Sequence, residues 1–273
     1  MRLGVIGYGV IAETVLAGLT AGGANDWESV VCLARPGTRD RGIELLNGHA
    51  KLARSRSVVT NLNDFISSGI SLAVECAGHQ AVYDFGERVL AAGIDFIPAS
   101  IGALADDVLH RGLRTAAENS GGRLYLPAGA IGGLDILGAA KLAGIQTLIY
   151  TSRKPPLAWR GTRADQLLDL TRLTGEAVFY DGNARAAARD YPKNANVAAA
   201  VALAGIGFDL TQVRLIADPL IERNVHEISI RSSCADVNVR IEGRASEQNP
   251  QTSLTAGFSI AKLVLDQITI EVI

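Results

Sequence analysis

The six residues Gly7-Tyr8-Gly9-Val10-Ile11-Ala12 match the pattern G-x-G-x-x-[G/A]. Each position has a physical job in holding a pyrophosphate. The first glycine permits a tight turn, the second lets the anion reach the backbone, and a small third residue lets helix and strand pack closely. The N–H groups that open the helix, and the positive end of its dipole, face that anion. An ordinary strand-to-helix turn also favours glycine, so the pattern gains weight only from context. Here an apolar run precedes it and an amphipathic stretch follows. That context points to a bound dinucleotide, NAD or NADP.

The residue that normally follows the second strand of such a unit is a carboxylate, which bonds the ribose 2'-hydroxyl. This sequence has Cys32-Leu33-Ala34-Arg35 there instead. An arginine at this place can accept a 2'-phosphate, so Arg35, with Arg39 nearby, opens the site to NADP. Solvated loop arginines are the other reading of the same pair. Further on, Cys76-Ala77-Gly78-His79 ends one strand and starts a helix, where turns of this fold flank the nicotinamide half of the cofactor. Cys76, Ala77 and Gly78 are therefore candidate cofactor contacts. His79 reads better as a helix-start residue than as a catalyst. Ala99-Ser100, after the next strand, is a further candidate lining.

The elements that must hold these turns follow from apolar periodicity. Strands are expected at residues 3–6, 30–34, 58–59, 72–76, 94–98 and 124–126. Helices are expected at 10–21, 80–92 and 106–118. Strand and helix alternate, which implies a parallel, doubly wound sheet of the Rossmann type. After about residue 130 the pattern changes. Helices are expected at 133–143, 166–173 and 197–204, with strands at 147–152, 226–231 and 237–242. The last two alternate as antiparallel neighbours do, so this part reads as a second α+β domain with a mixed sheet. The boundaries expected are 1–127 for the dinucleotide-binding domain and 128–252 for a substrate and catalytic domain. A tail helix within 253–273 is expected to pack back on the first domain.

Composition limits the function classes. Hydrophobic residues make up 48% of the 273 and charged residues 20%, enough to bury a sizeable core. The net charge of -2, with no basic block, gives no case for nucleic acid or an anionic membrane as partner. Three cysteines without a C-x-x-C pair argue against a disulfide framework and a zinc site. No leader peptide and no 18-residue apolar span stand out, so a cytoplasmic enzyme without a metal is the expectation.

Four further segments occur in one order along the chain: Leu126-Pro127-Ala128-Gly129-Ala130-Ile131-Gly132-Gly133-Leu134-Asp135, Arg153-Lys154-Pro155-Pro156, Tyr191-Pro192-Lys193-Asn194-Ala195-Asn196-Val197-Ala198, and Asn224-Val225-His226-Glu227-Ile228. With the glycine turn, they make the whole chain resemble the L-aspartate dehydrogenase family. That family is similar in architecture to homoserine dehydrogenase. The resemblance implies oxidation of L-aspartate with NAD or NADP to iminoaspartate, then oxaloacetate and ammonia, with the imine able to feed NAD biosynthesis. It also implies a homodimer, a catalytic histidine at His226, and cofactor contacts at Ala130 and Asn196.

These residue types suit that chemistry. An amine must lose its proton before hydride can leave the neighbouring carbon, and a histidine titrating near neutrality is a suitable base. Asn196 offers a donor and an acceptor for a carboxamide, and capping the helix that follows is another good use of it, compatible with the first. The two carboxylates of aspartate call for cations or clustered donors. Lys193 ranks first, from its place in the Asn196 motif, then Asn224, with Arg153, Lys154 and Ser152 also available. The competing readings are another dehydrogenase of the same architecture, such as one acting on homoserine, and a non-catalytic NAD(P)-binding sensor.

Overall fold

The computed structural model describes residues 1–24, 26–246 and 249–270, leaving out the side chains of Lys193 and of residues 245–252. The final three residues of the expected tail, 271–273, thus lie outside the described residues. Two compact units emerge, Met1–Pro127 with Ala256–Ile273, and Ala128–Thr255.

The first unit runs β1 (Arg2–Ile6), α1 (Val10–Ala21), β2 (Trp27–Leu33), α2 (Arg39–Gly48), β3 (Ala53–Val59), α3 (Leu62–Ser67), β4 (Leu72–Glu75), α4 (His79–Ala91), β5 (Asp95–Pro98) and α5 (Asp107–Ser120). Its sheet is parallel with order β3-β2-β1-β4-β5. The order reverses at β1, so the carboxyl ends of β1 and β4 flank the topological switch point where such sheets bind ligands. Leu3, Val5, Leu72 and Val74 are fully buried, as strands covered by helices on both faces require. Ala12, Val15, Leu16 and Leu19 of α1 seal one face, and Ile260, Ala261 and Val264 join the same core. Those three lie on α10 (Leu254–Asp266), which enters this unit at Ala256. Gly18 lets it come close, since a Cβ there would stand 2.8 Å from the Cβ of Ala261.

Residues 124–126 do not form the expected strand. Leu124 makes a single bridge with Phe96, and Pro127, lacking an N–H, cannot extend the ladder. Helices α2 and α3 were not legible in the sequence, because they bury few residues: Gly42, Leu45 and Leu46 in α2, Leu62 and Phe65 in α3.

The second unit comprises α6 (Leu134–Ala143), β6 (Ile145–Lys154), α7 (Ala164–Leu167), β7 (Ala177–Asn183), α8 (Ala184–Asp190), α9 (Asn196–Ala204), β8 (Gln212–Ala217), β9 (Val225–Ser232), β10 (Asp236–Glu242), and a small pair β11 (Ala245–Ser246) and β12 (Asn249–Ser253). The main sheet has order β10-β9-β6-β8-β7. Only β6 and β8 pair in parallel, so the sheet is mixed. The helix expected at 166–173 is confined to the single turn α7. Asp169 then takes hydrogen bonds from the backbone and hydroxyl of Thr171, a local alternative to the helical ladder. Among the described residues no helix is long and apolar enough to cross a membrane.

Candidate active site

The glycine turn sits at the carboxyl end of β1. Gly7 adopts φ +100°, and a Cβ on it would meet the Cβ of Ala77 and the carbonyl of Cys76 at 3.0 Å. Only glycine fits that place. Gly9 is different. Its φ is -89°, which any residue adopts, and a Cβ there would meet nothing within 4 Å. The open space beside Gly9 is the room a pyrophosphate needs. The first bond of the α1 ladder runs from Glu13 N–H to Gly9 O. The N–H groups of Val10, Ile11 and Ala12 therefore precede the ladder, and fully buried Ala12 gives the close packing expected of the third small position.

A cleft of about 580 Å³ opens here, with Gly7, Gly9, Arg35, Arg41, Cys76 and Ala77 among its walls. At its rim the Arg35 guanidinium donates to the Tyr8 hydroxyl at 3.3 and 3.4 Å. Arg41 lies over the Tyr8 ring, 5.1 Å from its centre. Thr38 lies 2.5 Å from the same hydroxyl and, with Arg35, lowers its pKa. Arg41, four residues past the glycine of Pro36-Gly37, was missed in the sequence, where Arg39 stands nearer to Arg35. The cleft thus combines a turn only glycine can make, open backbone at Gly9 and a cationic rim. These features fit NAD(P).

Glu75 is the second missed residue. Its carboxylate is fully buried at the end of β4 and accepts from Ala77 N (2.6 Å), Gly78 N (2.6 Å), Ser100 N (3.1 Å) and Ser100 Oγ (3.2 Å). Burial raises its pKa, and these four donors oppose the rise. Glu75 thereby fastens the Cys76-Ala77-Gly78 turn. Gly78, at φ +125°, caps α4, and His79 is the first residue of that helix. The one sequence signal was an acid closing the apolar run Leu72-Ala73-Val74.

In the second unit, period-2 alternation puts Leu148, Tyr150, Ser152 and Lys154 on the buried face of β6. Ser152 pairs directly with His226 of β9 in the antiparallel register. His226 is 5% exposed, and its Nδ1 lies 2.7 Å from the Tyr150 hydroxyl, which Ser152 also hydrogen-bonds. Lys154 donates to Asn194 Oδ1 at 2.6 Å and stands 4.8 Å from the centre of the Trp159 ring. One end of an otherwise apolar sheet face is therefore polar, with a histidine, a tyrosine, a serine and an ammonium gathered there. Burial first, and the charge of Lys154 second, push the His226 pKa down to about 3. That corrects the expectation of a histidine titrating near neutrality: the imidazole is neutral at pH 7. Tyr150 was not singled out in the sequence, although its spacing from Ser152 and Lys154 was the available signal.

The remaining expected residues divide. Ala130 is buried in a turn after Gly129, whose φ is +71°. Asn196 is the first helical residue of α9 and Ala195 holds the cap position, so Asn196 is not the cap expected. Asn224 precedes β9 and uses its carbonyl to accept from Gly243 N at 2.8 Å. Arg153 points to the face opposite Lys154 and pairs with Glu176 and with Asp218, the latter at 2.9 Å, so structural ion pairs occupy it. The side chain of Lys193 lies outside the described residues.

Comparison with known proteins adds independent findings. Residues 7–127 match the family model described as homoserine dehydrogenase, NAD binding domain, and residues 135–267 match aspartate dehydrogenase, C-terminal. An L-aspartate dehydrogenase from Ruegeria pomeroyi is 42% identical over 260 residues, covering 95% of this chain and 90% of the relative. One from Ralstonia pickettii is 36% identical over 262 residues, covering 96% of each. The crystal structure of aspartate dehydrogenase from Thermotoga maritima superposes with a TM-score of 0.76 at 23% identity, covering 100% of this chain and 99% of that one.

Proposed function

The chain belongs to the L-aspartate dehydrogenase family, and on that footing we propose that it oxidises L-aspartate at the α-carbon with NAD or NADP. The product is iminoaspartate, which water converts to oxaloacetate and ammonia. The observation that carries this reading is the buried His226, hydrogen-bonded to Tyr150 at 2.7 Å.

When bound, the oxidised nicotinamide supplies a hydride acceptor. Gly7, Gly9 and the N–H groups of Val10, Ile11 and Ala12 would hold its pyrophosphate and the Cys76-Ala77-Gly78 turn would flank its nicotinamide half, while Ala130 and Asn196 are cofactor contacts on the strength of the family likeness. Arg35 takes the 2'-phosphate when the cofactor is NADP. The chemistry left to the protein is proton transfer. Aspartate arrives with its amine protonated, and only the free amine can donate its lone pair into a new C=N bond as the α-hydrogen departs with its electron pair. His226 is neutral at pH 7 and so can accept that proton. Once it has released that proton to solvent, it takes one from the water that attacks the imine carbon and returns it to the amine nitrogen. The C–N bond then breaks and ammonia leaves with the proton. Tyr150 and Ser152 orient the ring and touch no reacting atom. Asn224 and Lys193 are the remaining substrate contacts of the proposal. Delivery of the imine to NAD biosynthesis, a homodimer and a cytoplasmic setting extend it on the strength of the family likeness.

The test is absorbance at 340 nm with L-aspartate, using NAD and NADP in parallel and L-homoserine as comparison. Cofactor reduction with L-aspartate, and none with L-homoserine, is expected. Reduction with L-homoserine alone would overturn the assignment.

A further inference from the structure

The second unit buries an ammonium that the proton chemistry leaves unused. Lys154 is 7% exposed at the last position of β6. An ammonium carries three donors, and the structure gives this one a single hydrogen bond, to Asn194 Oδ1 at 2.6 Å. The Trp159 ring covers another side at 4.8 Å and is itself held, its Nε1 donating to Ile216 O at 3.0 Å. Among the described residues no carboxylate pairs with Lys154. A buried cation without a counter-charge is unfavourable unless an anion arrives to meet it. The substrate brings two.

We propose that Lys154 receives a carboxylate of the substrate at the His226 site and so determines specificity for a dicarboxylate. This rests on the function proposed above. Asn194 and Trp159 hold the ammonium in place before the substrate comes, so little side-chain freedom is lost on binding. Burial holds the Lys154 pKa down to about 8, and a bound carboxylate would reverse that shift. The same pairing acts on His226. The Lys154 charge is one of the two causes that weaken His226 as a base, and a carboxylate set against the ammonium cancels it. The base therefore gains strength only when a substrate with a suitably placed carboxylate is bound. A monocarboxylic amino acid that leaves Lys154 unpaired meets a feebler base as well as a weaker site.

The titratable groups around Lys154 are few. His226 comes from β9, Tyr150 from its own strand, and Tyr191 from the layer of Phe179 that packs on Trp159. Arg153, Glu176 and Asp218 pair on the opposite face. Near pH 8.5, neither a histidine with a pKa near 3 nor a buried tyrosine changes its proton count. Proton uptake there on binding a dicarboxylate reports Lys154.

Succinate, which has two carboxylates and no amine, is the probe, with reduced cofactor present. Calorimetry of the wild-type protein at pH 8.5, in two buffers of different ionisation enthalpy, should show uptake of roughly half a proton or more. Lys154→Met keeps the length of the side chain and its packing on Trp159. It should raise the succinate Kd and the KM for L-aspartate on the order of 100-fold, the loss expected for a charge-assisted bond, while cofactor affinity holds. Lys154→Arg should restore part of both. Absence of proton uptake in the wild type, or a folded Lys154→Met protein whose succinate Kd stays within about twofold, would overturn the proposal. A large loss of kcat with an unchanged succinate Kd would also overturn it, marking Lys154 as a base instead. If the wild type binds succinate through Lys154 but does not oxidise L-aspartate, the function proposed above fails and the dicarboxylate site stands.

Discussion

The Tyr150 hydroxyl and His226 Nδ1 lie 2.7 Å apart, with the two rings 9° from parallel. This contact decides which imidazole nitrogen is available. For Nε2 to accept a proton, Nδ1 must carry the ring hydrogen and donate it to Tyr150. Ser152 is the other partner of the Tyr150 hydroxyl, and its hydrogen bond lowers the Tyr150 pKa against the rise from burial. Were Tyr150 the donor instead, Nε2 would hold the hydrogen and could not act as a base.

Tyr150→Phe should therefore lower kcat by about 10- to 100-fold, with KM and cofactor affinity little changed. It leaves Nδ1 without its partner, so stability should fall by about 1–3 kcal/mol. Steady-state kinetics across pH separates positioning from packing. If Tyr150 only packs, the kcat–pH profile keeps its shape and turnover per folded molecule is normal.

His226→Asn should lower kcat by about 100- to 10,000-fold, the usual reach of general acid–base catalysis. It should also change the response to acid. The folded pKa is depressed to about 3 from an ordinary 6.5. Between those values the unfolded chain takes up a proton that the native protein refuses. Stability from this group is thus complete above pH 6.5 and is lost as pH falls toward 3, at up to about 1.4 kcal/mol per pH unit. Denaturant unfolding at several pH values from 4 to 7 should give a shallower acid limb for the variant. Parallel limbs would mean that His226 is not held neutral.

Gly9→Val tests the cofactor cleft. Gly9 has φ -89° and open space where a Cβ would go, so the variant should fold with a melting temperature close to that of the wild type. The added side chain would occupy the pyrophosphate's place, and dinucleotide affinity should fall beyond measurement by calorimetry. Retained affinity in a folded variant would move the cofactor elsewhere.

Arg35 and Arg41 should act together on the 2'-phosphate, since both converge on Tyr8 at the cleft rim. Arg35→Ala and Arg41→Ala should each weaken NADP about tenfold to 100-fold and leave NAD within about threefold. Equal losses for both cofactors would reduce the two arginines to surface charges.

The nucleotide turn could be read without a structure because its logic is local. Strand, glycines and helix lie within about twenty consecutive residues, and apolar periodicity reports each of them. The same holds for the buried strands of the first sheet, for β6 and β9 of the second and for the Ala-rich helix α9, whereas β7 and the buried β8 were not read. Elements with thin apolar stripes escaped: α2 buries three residues, and the helix expected at 166–173 yields to side-chain bonds at Asp169 and Thr171.

The polar end of the second sheet was a different matter. The sequence named His226 through a family motif and placed Lys154 only among several cations. What joins them to Tyr150, Ser152 and Asn194 is strand register, which sets Ser152 opposite His226 across 74 positions of chain, and register is decided by long-range burial of one sheet face. The electrostatics followed from the same packing. In the sequence, His226 is a base near neutrality and Lys154 one of several candidate cations for a carboxylate. Enclosed together, each loses protons more readily, because removing water penalises both charges and the Lys154 charge further opposes one on His226.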